Sequence, residues 1–149
     1  NFFNYTATTE IYSVLTSSAA SVVYKRQTLH CTALGKAFLS CMPLKEVEGL
    51  ITQYGLPAVT ANTITDLAQF LQEIDRVREQ GFAEDKEENE IRVRCVAAPI
   101  YDHTGQPAAT VSVSSPVFRL PLSEVPCYGQ KVIETTSAIS AKLGYRPRR

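Results

Sequence analysis

An α+β domain built on an antiparallel sheet is the fold class this sequence predicts. Short β-branched runs near the start, a block of amphipathic helical patterns, and a long hairpin pattern followed by a closing helix are the observations that predict it. With 149 residues and 44% apolar content, the chain can bury a single core and is short for two, so residues 1–149 are read as one domain.

The first strands are expected at Glu10-Ile11-Tyr12-Ser13-Val14-Leu15 and Ser21-Val22-Val23-Tyr24-Lys25, where β-branched and aromatic residues alternate roughly with polar ones. From Thr32 the period changes. Leu34, Ala37, Phe38 and Cys41 recur at helical spacing, with Thr32 as N-cap and Pro43 as a stop. Pro43 also suits the first position of a second helix, whose stripe is Leu44, Val47, Leu50 and Ile51 and which ends near Tyr54-Gly55. Residues 56–63 read as a loop. The clearest helix carries Leu67, Phe70, Leu71, Ile74 and Val77 on one face, with charged residues opposite and Gly81 as its C-terminal cap. By composition, Glu84 to Glu90 is a charged, flexible link. Residues 91–101 and 107–115 read as two strands of a hairpin turning at Asp102-His103-Thr104-Gly105. A last helix, from about Ser123 to Leu143, presents Val132, Ile133, Thr136 and Ile139 and is closed by Gly144.

Composition narrows the function. Fifteen basic and fifteen acidic residues cancel, so the chain lacks the positive field that binds nucleic-acid backbones. The basic tail Tyr145-Arg146-Pro147-Arg148-Arg149 reads as a solvated terminus. No apolar run approaches the roughly 18 residues that span a membrane, and no leader pattern is present, so a soluble, cytoplasmic protein is expected. Cys31, Cys41, Cys95 and Cys127 show no CxxC spacing, and His30 and His103 are the only histidines. That set is too sparse for a zinc framework, so neither metal nor cofactor is expected and the thiols are read as reduced.

From Leu29 to Gly144, about three quarters of the chain, motifs occur in a telling order. They are Leu29-His30-Cys31-Thr32-Ala33-Leu34-Gly35-Lys36-Ala37, Thr60-Ala61-Asn62-Thr63-Ile64-Thr65, Val77-Arg78-Glu79-Gln80-Gly81-Phe82-Ala83 with Asp85, Glu87 and Glu88, Val93-Arg94-Cys95-Val96-Ala97-Ala98-Pro99-Ile100, and Val111-Ser112-Val113-Ser114. In this order they resemble the C-terminal effector-binding domain of IclR-type transcriptional regulators. The resemblance implies a GAF/profilin-like sheet of about six antiparallel strands flanked by helices. It also implies a homo-oligomer, dimer or tetramer, and DNA binding only through an N-terminal winged helix-turn-helix domain absent from this chain. Between Tyr24 and Leu29 the family usually has a further strand and loop, and the intact flanking motifs favour omitted residues over a deletion. Arg92 stands where the family usually carries glycine.

Carried over by position, the family's ligand pocket comprises Ala33, Leu34, Asp85, Val93, Cys95, Ser112 and Ser114. Its physics is coherent. A carboxylate is served by unpaired N–H groups in the first turn after Thr32 and by two serine hydroxyls that a strand places on one face. Cys95 supplies a small, soft wall. The ligand expected is a small organic acid of keto, hydroxy or sugar-acid type. If the turn consumes Asp102 to Gly105, Cys95 lies opposite Ser112 and Val93 opposite Ser114, all on one face, with Arg92 and Arg94 on the other.

Plainer readings compete with each feature. Strand cysteines are commonly just buried, alternating serines are ordinary half-buried positions, and Asp85 in so acidic a stretch reads as solvated. Gly35-Lys36 resembles the end of a phosphate loop but lacks its first glycine and its Ser/Thr. A dimerisation scaffold with a vestigial pocket is the main alternative. A cysteine-dependent enzyme using Cys95 with His30 or His103 is the lesser one, since no third residue orients such a pair. The chain is read as a non-enzyme.

Overall fold

The computed structural model describes residues 29–147. The strands expected at Glu10–Leu15 and Ser21–Lys25 lie outside them. Among the described residues the order is α1 (Ala33–Leu39), α2 (Leu44–Tyr54), α3 (Leu67–Gln80), β1 (Ala83–Lys86), β2 (Val93–Tyr101), β3 (Pro107–Pro116), a 3₁₀ turn (Leu122–Glu124) and α4 (Val125–Lys142). The strands form an antiparallel sheet in the order β1-β2-β3, so the α+β class holds while the described part shows three strands of the six expected.

The helix ends follow their residues. Thr32 Oγ1 accepts from Gly35 N at 3.1 Å and caps α1. Asp66 caps α3 by accepting from Gln69 N, and Gly81 ends α3 in the left-handed conformation at φ 82°. Pro43 is the residue before α2 rather than its first position. α4 begins two residues later than the sequence pattern suggests. Pro126 has no N–H to give to the carbonyl of Leu122, so the entering chain makes a 3₁₀ turn closed by Val125 N to Leu122 O.

Helices cover both faces of the sheet. Ala33, Ala37, Val77, Ala83 and Ala97 pack α1 and α3 onto one face. Val96, Ala98, Leu120, Val125 and Val132 join α4 to the other. Leu29, Leu39, Val47, Ile51, Phe70 and Ile74 make a third cluster among the three early helices. Two glycines permit close approach. A Cβ on Gly35 would stand 2.0 Å from Leu29 O, and one on Gly129 would meet the Phe82 ring at 2.6 Å.

Two expectations are corrected. The supposed flexible link at Glu84–Glu90 is β1 and a tight turn, with Glu84, Asp85 and Glu88 each under 5% exposed. Charge alone suggested solvent, yet each carboxylate has folded partners. Glu84 lies near Lys86 and Arg94, Asp85 accepts from Glu88 N, and Glu88 meets Lys36. The hairpin register also differs. Cys95 lies opposite Ser114, Ala97 opposite Ser112, and Val93 opposite Pro116. Asp102 Oδ1 accepts from Thr104 N, Thr104 Oγ1 and Gln106 N, which lengthens the loop so that Tyr101 pairs with Pro107. A bulge follows beside Ile100/Tyr101. The lengthened loop alone would have put Cys95 opposite Val113, and the extra bulge residue restores parity. Tyr101 N is drawn to Ser140 Oγ at 2.9 Å, which accounts for the break in the ladder.

Candidate functional site

The corrected register preserves the feature that matters. Val93, Cys95, Ser112 and Ser114 still point to one side of the sheet, because moving by two residues does not change the face. β1 pairs Asp85 with Cys95 and so brings the carboxylate to that side as well. The start of α1 lies across from them. A cavity of about 170 Å³ between these elements is lined by Ala33, Leu34, Asp85, Val93, Cys95, Ser112 and Ser114, all seven positions the sequence suggests, together with Thr32, Asn89 and Glu90. Arg94 faces away, donating to Leu120 O at 2.6 Å, and Arg92 is exposed.

The site's polar groups are set by their neighbours. Gly35 N bonds Thr32 Oγ1 and Lys36 N bonds Thr32 O. The N–H groups of Ala33 and Leu34 therefore have no acceptor within their helix. Cys95 Sγ and Ser114 Oγ are 3.1 Å apart. Burial, only partly offset by that hydroxyl, pushes the Cys95 thiol up to about 11, so it is a neutral wall at physiological pH. Asp85 is 2% exposed, correcting the reading of a solvated residue. Its Oδ1 accepts from Glu88 N at 2.8 Å and Asn89 N at 3.3 Å, and burial outweighs these bonds to push the carboxyl up to about 6.

Behind the cavity wall lies a buried ion pair that the sequence reading missed. Lys36, fully buried, donates to Glu88 Oε1 at 2.6 Å and lies 3.5 Å from Glu73 Oε1. Thr63 Oγ1 donates to Glu88 O at 2.7 Å, and Thr60 Oγ1 to Glu87 O at 2.7 Å. The Thr60–Thr65 motif is thus a clasp on the acidic turn, and Lys36 ties that turn to α1. Gly35-Lys36 is no phosphate loop. The signal that could have found the pair is a lysine inside the apolar run Ala33–Leu39, which demands a buried acid.

A larger groove of about 570 Å³ runs beside Arg78, Gly81, Tyr101, Ile133 and Tyr145. Several of its polar groups are already engaged. Arg78 donates to the carbonyls of Ser40 and Met42 and to Asp75, Tyr101 Oη contacts Cys41, and Ser140 Oγ donates to Thr136 O. The smaller cavity is where a helix start, the Asp85 carboxyl and the Ser112 and Ser114 hydroxyls converge.

The family model described as bacterial transcriptional regulator IclR C-terminal matches residues 7–141. This chain belongs to the IclR family. It is 36% identical over 122 residues to the HTH-type transcriptional repressor AllR of Salmonella typhi, a match covering 82% of this chain and 45% of that protein. The chain thus spans about half the length of the curated relatives it matches. Among solved structures, IclR of Thermotoga maritima superposes with a TM-score of 0.73 at 38% identity, over 78% of this chain and 47% of that one. The inducer-binding domain of the Acinetobacter regulator PobR, solved as a double mutant with 3-hydroxybenzoic acid, gives 0.70 at 27%, over 78% and 65%. These relatives are regulators, not enzymes. His30 Nε2 is turned to Pro57 O at 2.9 Å, Cys95 Sγ lies beside Ser114 Oγ, and His103 is exposed in the hairpin turn. Among the described residues no helix is long and apolar enough to cross a membrane.

Proposed function

We propose that this domain is the cytoplasmic effector-binding part of an IclR-type regulator. It binds a small organic acid and so controls DNA binding by a winged helix-turn-helix domain outside this chain, within a homo-oligomer. The reading rests on one observation: all seven positions that the family resemblance singles out line a single cavity, where a helix start and two same-face serines offer hydrogen-bond donors. The ligand carboxylate lies against the Ala33 and Leu34 N–H groups and the hydroxyls of Ser112 and Ser114. The volume favours a compact keto, hydroxy or small sugar acid. About 170 Å³ equals the space of about five to six waters at roughly 30 Å³ each.

A thermal-shift screen of the chain against small acids and their amides tests this reading. Particular acids should raise the melting temperature, their amides should fail to, and no response to any acid would favour a scaffold with a vestigial pocket.

A further inference from the structure

The acid-site reading poses a charge problem. Among the described residues, the titratable groups lining the cavity are Asp85, Glu90 and Cys95, and no lysine, arginine or histidine joins them. Lys36 lies behind the wall, already committed to Glu88 and Glu73. The groups that act on Asp85 are Lys36 from α1, Glu88 and the N–H groups of Glu88 and Asn89 from the turn, and the neutral Cys95 thiol from β2. Its other neighbours across the cavity are Glu90, which adds negative charge, and the uncharged hydroxyls of Ser112 and Ser114 on β3. An anionic ligand entering beside an ionised Asp85 would meet like charge at close range in a poorly solvated place. Oδ1 accepts from two backbone N–H groups and the carboxyl also meets the Cys95 thiol, so Oδ2 is the oxygen that can carry a proton and offer it to a ligand.

We propose that Asp85 is the charge-selecting residue of this site: the chain takes up its acid together with one proton, which rests on the Asp85 carboxyl and is donated to the ligand, so that monoanions are accepted and dianions refused. This rests on the cavity being the acid site. The carboxyl of the free chain, raised by burial to about 6, is mostly ionised at neutral pH and must gain a proton when the acid binds. The dissociation constant should be level below about pH 6 and rise up to tenfold per pH unit above it. The same shift has a sign for stability. Because the folded carboxyl sits above its ordinary 3.8, the stability it contributes is lost as pH rises from 3.8 through about 6. Asp85→Asn, which keeps an acceptor for the two N–H groups, should therefore raise the melting temperature of the free chain at neutral pH.

The test is calorimetric titration of the chain with pyruvate and glycolate as monoanions and oxalate as dianion, from about pH 5.5 to 8.5, in two buffers of different ionisation enthalpy. The expected results are a pyruvate or glycolate affinity that falls above about pH 6, uptake of close to one proton near pH 8, and exclusion of oxalate. Asp85→Asn should keep the low-pH affinity across the whole range and take up no proton. Three results would overturn the proposal while leaving the acid site standing. They are saturable, Ser114-dependent binding that does not change with pH, oxalate binding as tightly as pyruvate, and a folded Asp85→Asn variant that binds neither monoanion at pH 5.5. Failure of both monoanions and of the small sugar acid glycerate at every pH would overturn the acid site and the proposal together.

Discussion

Arg92 adopts φ 68°, the left-handed region in which a side chain is strained. Its side chain is exposed and its backbone N donates to Glu87 Oε2 at 2.8 Å, a bond that glycine would keep. Arg92→Gly should therefore stabilise the chain by about 1 kcal/mol, read as a higher urea midpoint at unchanged m-value. Ser112 and Ser114 carry the opposite kind of expectation. Hydrogen bonds to a charged group contribute on the order of 1.5 to 3 kcal/mol, so Ser112→Ala or Ser114→Ala should weaken binding of the cognate acid roughly tenfold to a hundredfold. The free chain should melt almost unchanged. Phe70→Ala, deep in the helical cluster, should instead cost about 3 to 5 kcal/mol of stability. Calorimetric affinity set beside melting temperature separates these cases.

At the scale of elements, periodic segments were legible in the sequence and compensated charge was not. α3 was readable because Phe70, Ile74 and Val77 repeat at helical spacing between Asp66 and Gly81, and local chemistry sets each of those signals. β1 was not, because Ala83–Lys86 has no apolar alternation. Its burial depends on Arg94, eight residues beyond Lys86, and the neighbouring turn depends on Lys36, far earlier in the chain. The hairpin was half legible. Asp102 and Gly105 marked the turn, but the extra loop residue and the bulge depend on Ser140 in α4 accepting from Tyr101 N. The site survived the mistaken register because both errors together moved the strand by two residues. α1 offers a test of close packing. Gly35→Ala would drive a Cβ into the Leu29 backbone and should destabilise the chain by more than about 4 kcal/mol, with loss of the pocket's N–H wall. Gly49→Ala, within α2 where a Cβ meets nothing inside 4 Å, should stabilise by about 0.5 to 1 kcal/mol. Equilibrium unfolding of the two variants side by side would read both effects.

Across the whole molecule, the sheet separates two surroundings. α1 and α3 cover the face that carries the cavity, α4 covers the other, and the acidic turn closes the cavity's rim through Lys36 and the Thr60 and Thr63 hydroxyls. Family membership could be read from motif order, the pocket positions from that resemblance, and the shared face of Val93, Cys95, Ser112 and Ser114 from strand parity. Its charge balance could not, since the burial of Asp85 and the engagement of Lys36 exist only once the chain is folded. Near the Val117 N to Arg92 O bond, Ile91 and Phe118 are 51% and 77% exposed. The chain should sediment as a dimer or larger at micromolar concentration and show no sequence-specific DNA retention at physiological salt. Analytical ultracentrifugation and a gel-shift assay check the two halves of that expectation. The most direct test of the carboxylate site is a crystal structure of the chain with an acid found to stabilise it. Density is expected for one small acid in the 170 Å³ cavity, its carboxylate against the Ala33 and Leu34 N–H groups and the hydroxyls of Ser112 and Ser114. A stabilising acid bound in the groove between Tyr101 and Ile133, with that cavity unchanged, would contradict it.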